Sequence, residues 1–211
     1  MIRIDIGGCA ADILPVICGL VSEYDRVKEH ITDEYDTFAV SLGKEDIIAV
    51  GLRDELEEDT ELEDVDMVYL HYLGKFGDTR VPAPAFSALV DGCSEMSKQV
   101  MPLDMDEESY SKIYCEMITT FELLGEGRLA KKAMRKEFDM SSAESFVVSW
   151  DEFVNRPKGF LKLARLREKY MANRIRMLAR TSERMLAVVA HERINGIMSV
   201  LKGDENVIRN E

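Results

Sequence analysis

The chain has 211 residues, 46% of them hydrophobic and 32% charged, a balance that excludes a disordered chain and suffices for a folded core without metal or disulfide. A formal net charge of −13 at pH 7 opposes a nucleic-acid-binding surface, which needs clustered basic residues, and opposes docking on anionic lipid. No run approaches the roughly 18 consecutive apolar residues of a membrane-spanning helix, and the opening MIRIDIGG lacks the basic start and apolar stretch of a secretory leader, so the expected location is the cytoplasm, with no nucleic acid partner and no direct membrane insertion.

Ile2, Ile4 and Ile6 alternate with Arg3 and Asp5, which predicts a half-buried strand closed by Gly7 and Gly8. A helix is expected next, capped by Asp12, with Pro15 in its first turn and Ile13, Val16, Ile17, Leu20, Val21, Val27 and Ile31 on one face. Residues 37–42 (TFAVSL) predict a second strand, so the first forty or so residues read as a right-handed βαβ unit. The acidic run 54–66 reads as a solvated face or loop, because it lacks the ordered ligand spacing of a calcium loop. Residues 67–76 (MVYLHYLGKF) fit strand or helix, 85–96 a helix, and 98–103 a short strand that Pro102 weakens. Asp104 and Asp106 follow that strand, where they suit either a helix N-terminus or a ligand. Helices are expected over 110–124 and 128–138, then after Ser141 and Glu144, which have capping-box spacing; Phe146 to Val148 also suits a strand, and Asp151 suits a helix cap. A long basic segment over 159–178, a strand over 184–190 and a helix over 195–201 complete residues 1–203 as a single domain, with 204–211 a polar tail. The expected fold class is α/β, a central mixed sheet of about four to six strands flanked by helices, with a helix-rich second half.

No complete set of catalytic or metal-binding residues is visible. His30, His71 and His191 share no H-x-x-x-H or H-E-x-x-H spacing, and His71 lies in an apolar segment where a core position is expected. Cys9, Cys18, Cys93 and Cys115 form no C-x-x-C pair and read as buried thiols in a reducing compartment. There is no P-loop, no G-x-G-x-x-G after a strand and no G-x-S-x-G elbow; Ser41 ends a strand without a visible base. Arg165, Lys169 and Arg176 approximate a helical stripe, which in so acidic a chain is expected to pair with its own carboxylates.

The order of segments resembles the TraB family, which is related to the pheromone-shutdown and TIKI-like proteins. Arg167 to Ile175 (REKYMANRI) is similar to that family's E-R-[DN]-x-x-M-A segment, and residues 181–201 to the strand and G-x-x-H-x-x-G-I turn after it. Pro84-Ala85-Phe86 through Asp104-Met105-Asp106 resembles its helix, strand and acidic D-R-D turn, and the first forty residues its opening strand, G-x-x-H turn, helix and V-x-V-E-L strand. The resemblance implies a metallohydrolase whose two G-x-x-H motifs and glutamate have been replaced. Gly7 to Ala11 holds alanine where histidine is expected, Ser41 stands at the glutamate, Ala190 at the second glycine and Arg193 at the second histidine, while Gly196 and Ile197 are kept. Met105 and Leu166 depart from the arginine of the acidic turn and the leading glutamate of the helix motif. Alanine has no lone pair for a metal and arginine is a permanent cation, so no metal and no cofactor is expected.

The resemblance thus implies a non-catalytic domain for ligand binding or protein assembly, a homodimer or a complex with another protein. Arg167 and Arg193 would place positive charge in the old cleft, where a small anion or a partner's carboxylate relieves their repulsion, unless Glu168 and Glu192 neutralise them internally. The alternative is a hydrolase or peptidase, metal-dependent or not, that uses a different set: Cys9, Ser41, Asp104, Asp106, His191 and Glu192.

Overall fold

The computed structural model describes residues 1–55 and 62–203, so the middle of the acidic run and the polar tail lie outside the described residues. Strands β1 (Ile2–Ile6), β2 (Cys9–Val16), β3 (Thr37–Val40), β4 (Val100–Pro102) and β5 (Arg184–Ala190) form one sheet in the order β1-β2-β5-β3-β4. β1 runs antiparallel to β2, and every other neighbouring pair is parallel. The protein is an α/β fold with a five-stranded mixed sheet and a helix-rich second half.

The expected helix from Asp12 onward is corrected: residues 9–16 are a strand, joined to β1 by a tight hairpin in which Gly7 and Gly8 take φ of 63° and 97°. Such angles suit glycine, whose missing Cβ removes the penalty. Both faces of β2 are covered, so its apolar residues run nearly unbroken and mimic a helical stripe. Pro15 is tolerated because β1 begins at Ile2, opposite Ile13, and leaves no strand on that side of Pro15. Asp12 caps nothing. It is fully buried and accepts from Arg3 at 2.6 and 2.8 Å and from the Tyr35 hydroxyl at 2.8 Å, with Arg184 at 3.6 Å. Only α1 (Ser22–Lys28) is helical in the expected crossover, and β5 lies between the β2 and β3 it links.

Helices α2 (Lys44–Gly51), α3 (Asp64–Leu73) and α4 (Pro84–Glu95) follow, settling residues 67–76 as mostly helical, with His71 exposed and outside the core. The single helix expected over 110–124 is two, α5 (Glu107–Met117) and α6 (Thr120–Glu126), because Thr119 and Glu122 form a capping box that starts α6. α7 is only Leu129–Ala133, shorter than expected. Ser142, one residue later than expected, caps α8 (Ala143–Val154), which absorbs Phe146 to Val148; Asp151 lies inside that helix. The chain closes with α9 (Lys158–Ala179), β5, a 3-10 turn His191–Arg193 and α10 (Ile194–Lys202).

The pleat sorts alternate residues onto two faces. Ile13, Ala39, Ala187 and Val189 pack with Met171 and Ile175 of α9 and Ile197 of α10. Leu14, Val40 and Val188 face Val27 of α1 and Leu89 of α4. A third cluster holds Ile17 and Leu20, just past β2, against Phe146 and Trp150 of α8 and Leu73 of α3. That aromatic layer covers the carboxyl end of β2, beside the turn that follows β5.

Candidate functional site

Parallel α/β sheets leave their strand carboxyl ends as the natural place for polar side chains. β2, β3, β4 and β5 share that end here because they run parallel. Ser41 immediately follows β3; its Oγ accepts from the Ala190 backbone N–H at 3.0 Å, tying β3 to the end of β5. Asp104 follows β4, is 7% exposed, and accepts from Arg167 Nε at 3.0 Å and from the Met105 N–H at 2.8 Å. Arg167 comes from α9, so this ion pair pins the helix to the sheet, and its guanidinium lies 5.4 Å from the centre of the Tyr110 ring.

The second arginine is held more tightly. Arg193 ends the 3-10 turn and donates to Asp151 of α8, while its Nη1 lies 3.5 Å from Glu168 Oε1 of α9. The three side chains are 12%, 20% and 16% exposed, so these charges sit in a medium where pairing matters. Gly196 allows this: a Cβ there would stand 2.0 Å from Glu168 Oε2, so the glycine lets α10 lie directly on the carboxylate.

Charges of one sign outnumber the other. Arg167 and Arg193 face Asp104, Asp151, Glu168 and Glu192. Burial pushes the Glu168 carboxyl up to about 7, with Arg193 pulling down and Asp151 pushing up. Burial likewise raises Asp151 against the pull of Arg193 and Arg167, and raises Glu192, whose own backbone N–H and Arg193 pull it back. Glu192 Oε2 and Arg193 Nη1 are both buried without a hydrogen-bond partner among the described residues.

Of the residues singled out in the sequence, Ser41, Asp104, Arg167, Glu192 and Arg193 are brought to this edge. His191 starts the 3-10 turn, half-buried, beside them. Two are not. Cys9 opens β2 at the opposite end of the sheet, where burial pushes its thiol up, and Asp106 is exposed and caps α5 by accepting from Ser109 N–H at 2.7 Å. Asp151 was expected as a helix cap, and its role here is invisible in sequence because only the packing of α8 against the turn after β5 brings it to Arg193. Glu168 was foreseeable as an internal partner. The arginines do not stand free, but their partners differ from the expected Glu168 and Glu192: Arg167 pairs with Asp104 and Arg193 with Asp151 and Glu168, while Glu192 is in no salt bridge among the described residues.

Ala10 pairs with Arg184 and Val16 with Ala190. The hairpin at Gly7 to Ala11 therefore lies roughly 20 Å, six strand residues, from the end of β5. The strand that precedes α1 is β2, so the turn facing Arg193 across the site is residues 17–21, with Cys18 and no histidine. Among the described residues, no three His, Cys, Asp or Glu side chains are grouped as metal ligands would be, and no helix is long and apolar enough to cross a membrane. No family model matches the chain, and no curated protein matches it.

Proposed function

We propose that this chain is a non-catalytic TraB-like domain that works by binding, of a ligand or of a protein partner including a second copy. One observation carries the non-catalytic half of the reading: Arg193 is seated between Asp151 and Glu168 where the resemblance places a metal-binding histidine. A guanidinium repels a divalent cation and cannot be deprotonated to make way for one. The first-motif part of the resemblance is not kept, because Ala10 pairs with Arg184 at the far end of the sheet from Arg193, so the reading rests on the Arg193 end alone. The internal pairing of Arg167 and Arg193 weakens the small-anion version, because both guanidinium groups already have carboxylate acceptors.

The hydrolase alternative draws on one feature, the Glu168 carboxyl near 7, a range suited to general acid–base work. Its residue set is dispersed, with Cys9 and Asp106 away from the site, and Ser41 engaged with the Ala190 N–H.

The test is titration of the purified chain with Zn²⁺ and Mn²⁺, with hydrolysis of a generic ester and a peptide assayed alongside. Neither metal is expected to bind stoichiometrically, and no hydrolysis is expected with or without them. One metal per chain, with hydrolysis lost in Asp151→Asn, would make the domain an enzyme.

A further inference from the structure

The chain is acidic, but its charge is not spread evenly. Residues 128–136 hold Arg128, Lys131, Lys132, Arg135 and Lys136 and no acid. All five side chains are exposed, and none is in a salt bridge among the described residues. Elsewhere the arginines are answered from within: Arg3, Arg26, Arg53, Arg167, Arg184 and Arg193 each have a carboxylate. The cations of α7 and the turn after it are therefore left for something outside the chain.

Apolar side chains stand beside them. α6 buries none of its residues and leaves Phe121 87% and Leu124 66% exposed. These two are three residues apart and share a face of the helix. α7 turns Ala133 inward, while Met134 is exposed among the cations. Phe121 and Lys132 line one groove, together with the exposed Arg156, so the apolar edge of α6 adjoins the basic side of α7. The acids here are Asp66, Glu122 and Glu126, which line the same groove, and Glu137. Glu122 already accepts from the Thr119 and Gly159 N–H groups, and Glu126 from the Tyr114 hydroxyl. Cations among projecting aromatic and aliphatic side chains are the pattern that meets anionic lipid, where phosphates take the charge and the interface takes the apolar groups. A lipid surface closes around a projecting phenylalanine without a shaped pocket, and a second copy would bring −13 against −13.

We infer that α6 and α7 form a peripheral docking face for an anionic phospholipid membrane, with Phe121 and Leu124 in the headgroup–acyl boundary and Arg128, Lys131, Lys132, Arg135 and Lys136 on the phosphates. The net charge of −13 opposes the approach at long range. At physiological salt, however, the Debye length is about 8 Å, so the membrane meets the face turned towards it and not the sum. The face shares no residue with the Arg193 cluster. Its docking goes beyond the binding role proposed above, and metal binding or hydrolysis at that cluster leaves it untouched.

The test is co-sedimentation of the full chain with vesicles. Vesicles of phosphatidylcholine and phosphatidylglycerol are expected to bind it saturably, and pure phosphatidylcholine at least tenfold more weakly. Polyglutamate, which offers anions without an apolar phase, should also bind at least tenfold more weakly. Lys131→Glu with Lys132→Glu, and Phe121→Ser with Leu124→Ser, alter only exposed side chains and should each weaken the mixed vesicles at least fivefold. Glu137→Lys adds a cation to the same stretch and should tighten binding at least twofold, a gain that misfolding would not produce. The inference is overturned by no binding to the mixed vesicles, by equal binding to the neutral ones, or by both double variants binding as the parent does. Polyglutamate binding as tightly as the vesicles would assign the face to an acidic protein instead. A dimer in sedimentation without vesicles, dissolved by the same two double variants, would assign it to a second copy, and either result overturns the inference.

Discussion

Arg193, Glu168 and Gly196 form one device. Glu168 is held above its ordinary range because it is buried beside Asp151, and Arg193 only partly offsets that. A carboxyl raised from 4.5 to about 7 on folding binds more protons folded than unfolded across that interval, so its contribution to stability declines as pH rises from 4.5 to 7. Glu168→Gln removes the titration. Urea unfolding of both proteins across that range should show the parent losing ground to the variant, by at most about 1.4 kcal/mol per pH unit; parallel curves would contradict the assignment. Gly196 is set by the same carboxylate. Alanine in a helix is ordinarily favoured over glycine by about 1 kcal/mol, yet here its Cβ would meet Glu168 Oε2 at 2.0 Å. Gly196→Ala should therefore destabilise the parent and become neutral or stabilising in a Glu168→Ala background, the coupling expected of contacting residues. An equal cost in both backgrounds would mean that Glu168 is not what excludes the side chain.

At the level of elements, the strands over 37–42, 98–103 and 184–190 and the helix over 85–96 are legible because turn residues bracket apolar runs of suitable length. β2 is not. A strand buried on both faces has no alternation, and residues 13, 16, 17, 20 and 21 satisfy helical spacing while the chain in fact runs as a strand to Val16 and then turns. The buried Asp12 marks the difference, because a helix cap would be exposed whereas this carboxylate joins Arg3 of β1, Arg184 of β5 and Tyr35. Arg3 holds its carboxyl below the ordinary range, against burial and with help from Tyr35. A lowered folded value supplies stability that is present above pH 3.8 and lost as pH falls through the folded value. Asp12→Asn is expected to cost about 2 kcal/mol at pH 7, in the range of hydrogen bonds to charged groups, with the gap closing as pH falls through the lowered folded value. Equal stability at pH 7 in urea unfolding would remove the three-strand tie.

Over the whole molecule, parallel strands deliver Ser41, Asp104 and Arg193 to one edge, and α9 lays Arg167 and Glu168 across it. The sequence marks the strand-end residues, since each follows an apolar run. It carries no mark for Asp151, Trp150 and Tyr69, which reach the site only because α3 and α8 pack over the end of β2. The same packing makes Arg193 a fixed part of the interior, and the central claim is that it closes the site from within. Urea unfolding of Arg193→Met at pH 7 tests that claim most directly. Methionine keeps much of the side-chain length and removes the charge that Asp151 and Glu168 require, so a loss of about 3 kcal/mol is expected, the lower end of the cost of breaking a buried ion pair. A variant within about 0.5 kcal/mol of the parent, the usual range for a surface position, would show that Arg193 is free for a ligand or partner and that the cluster is not closed.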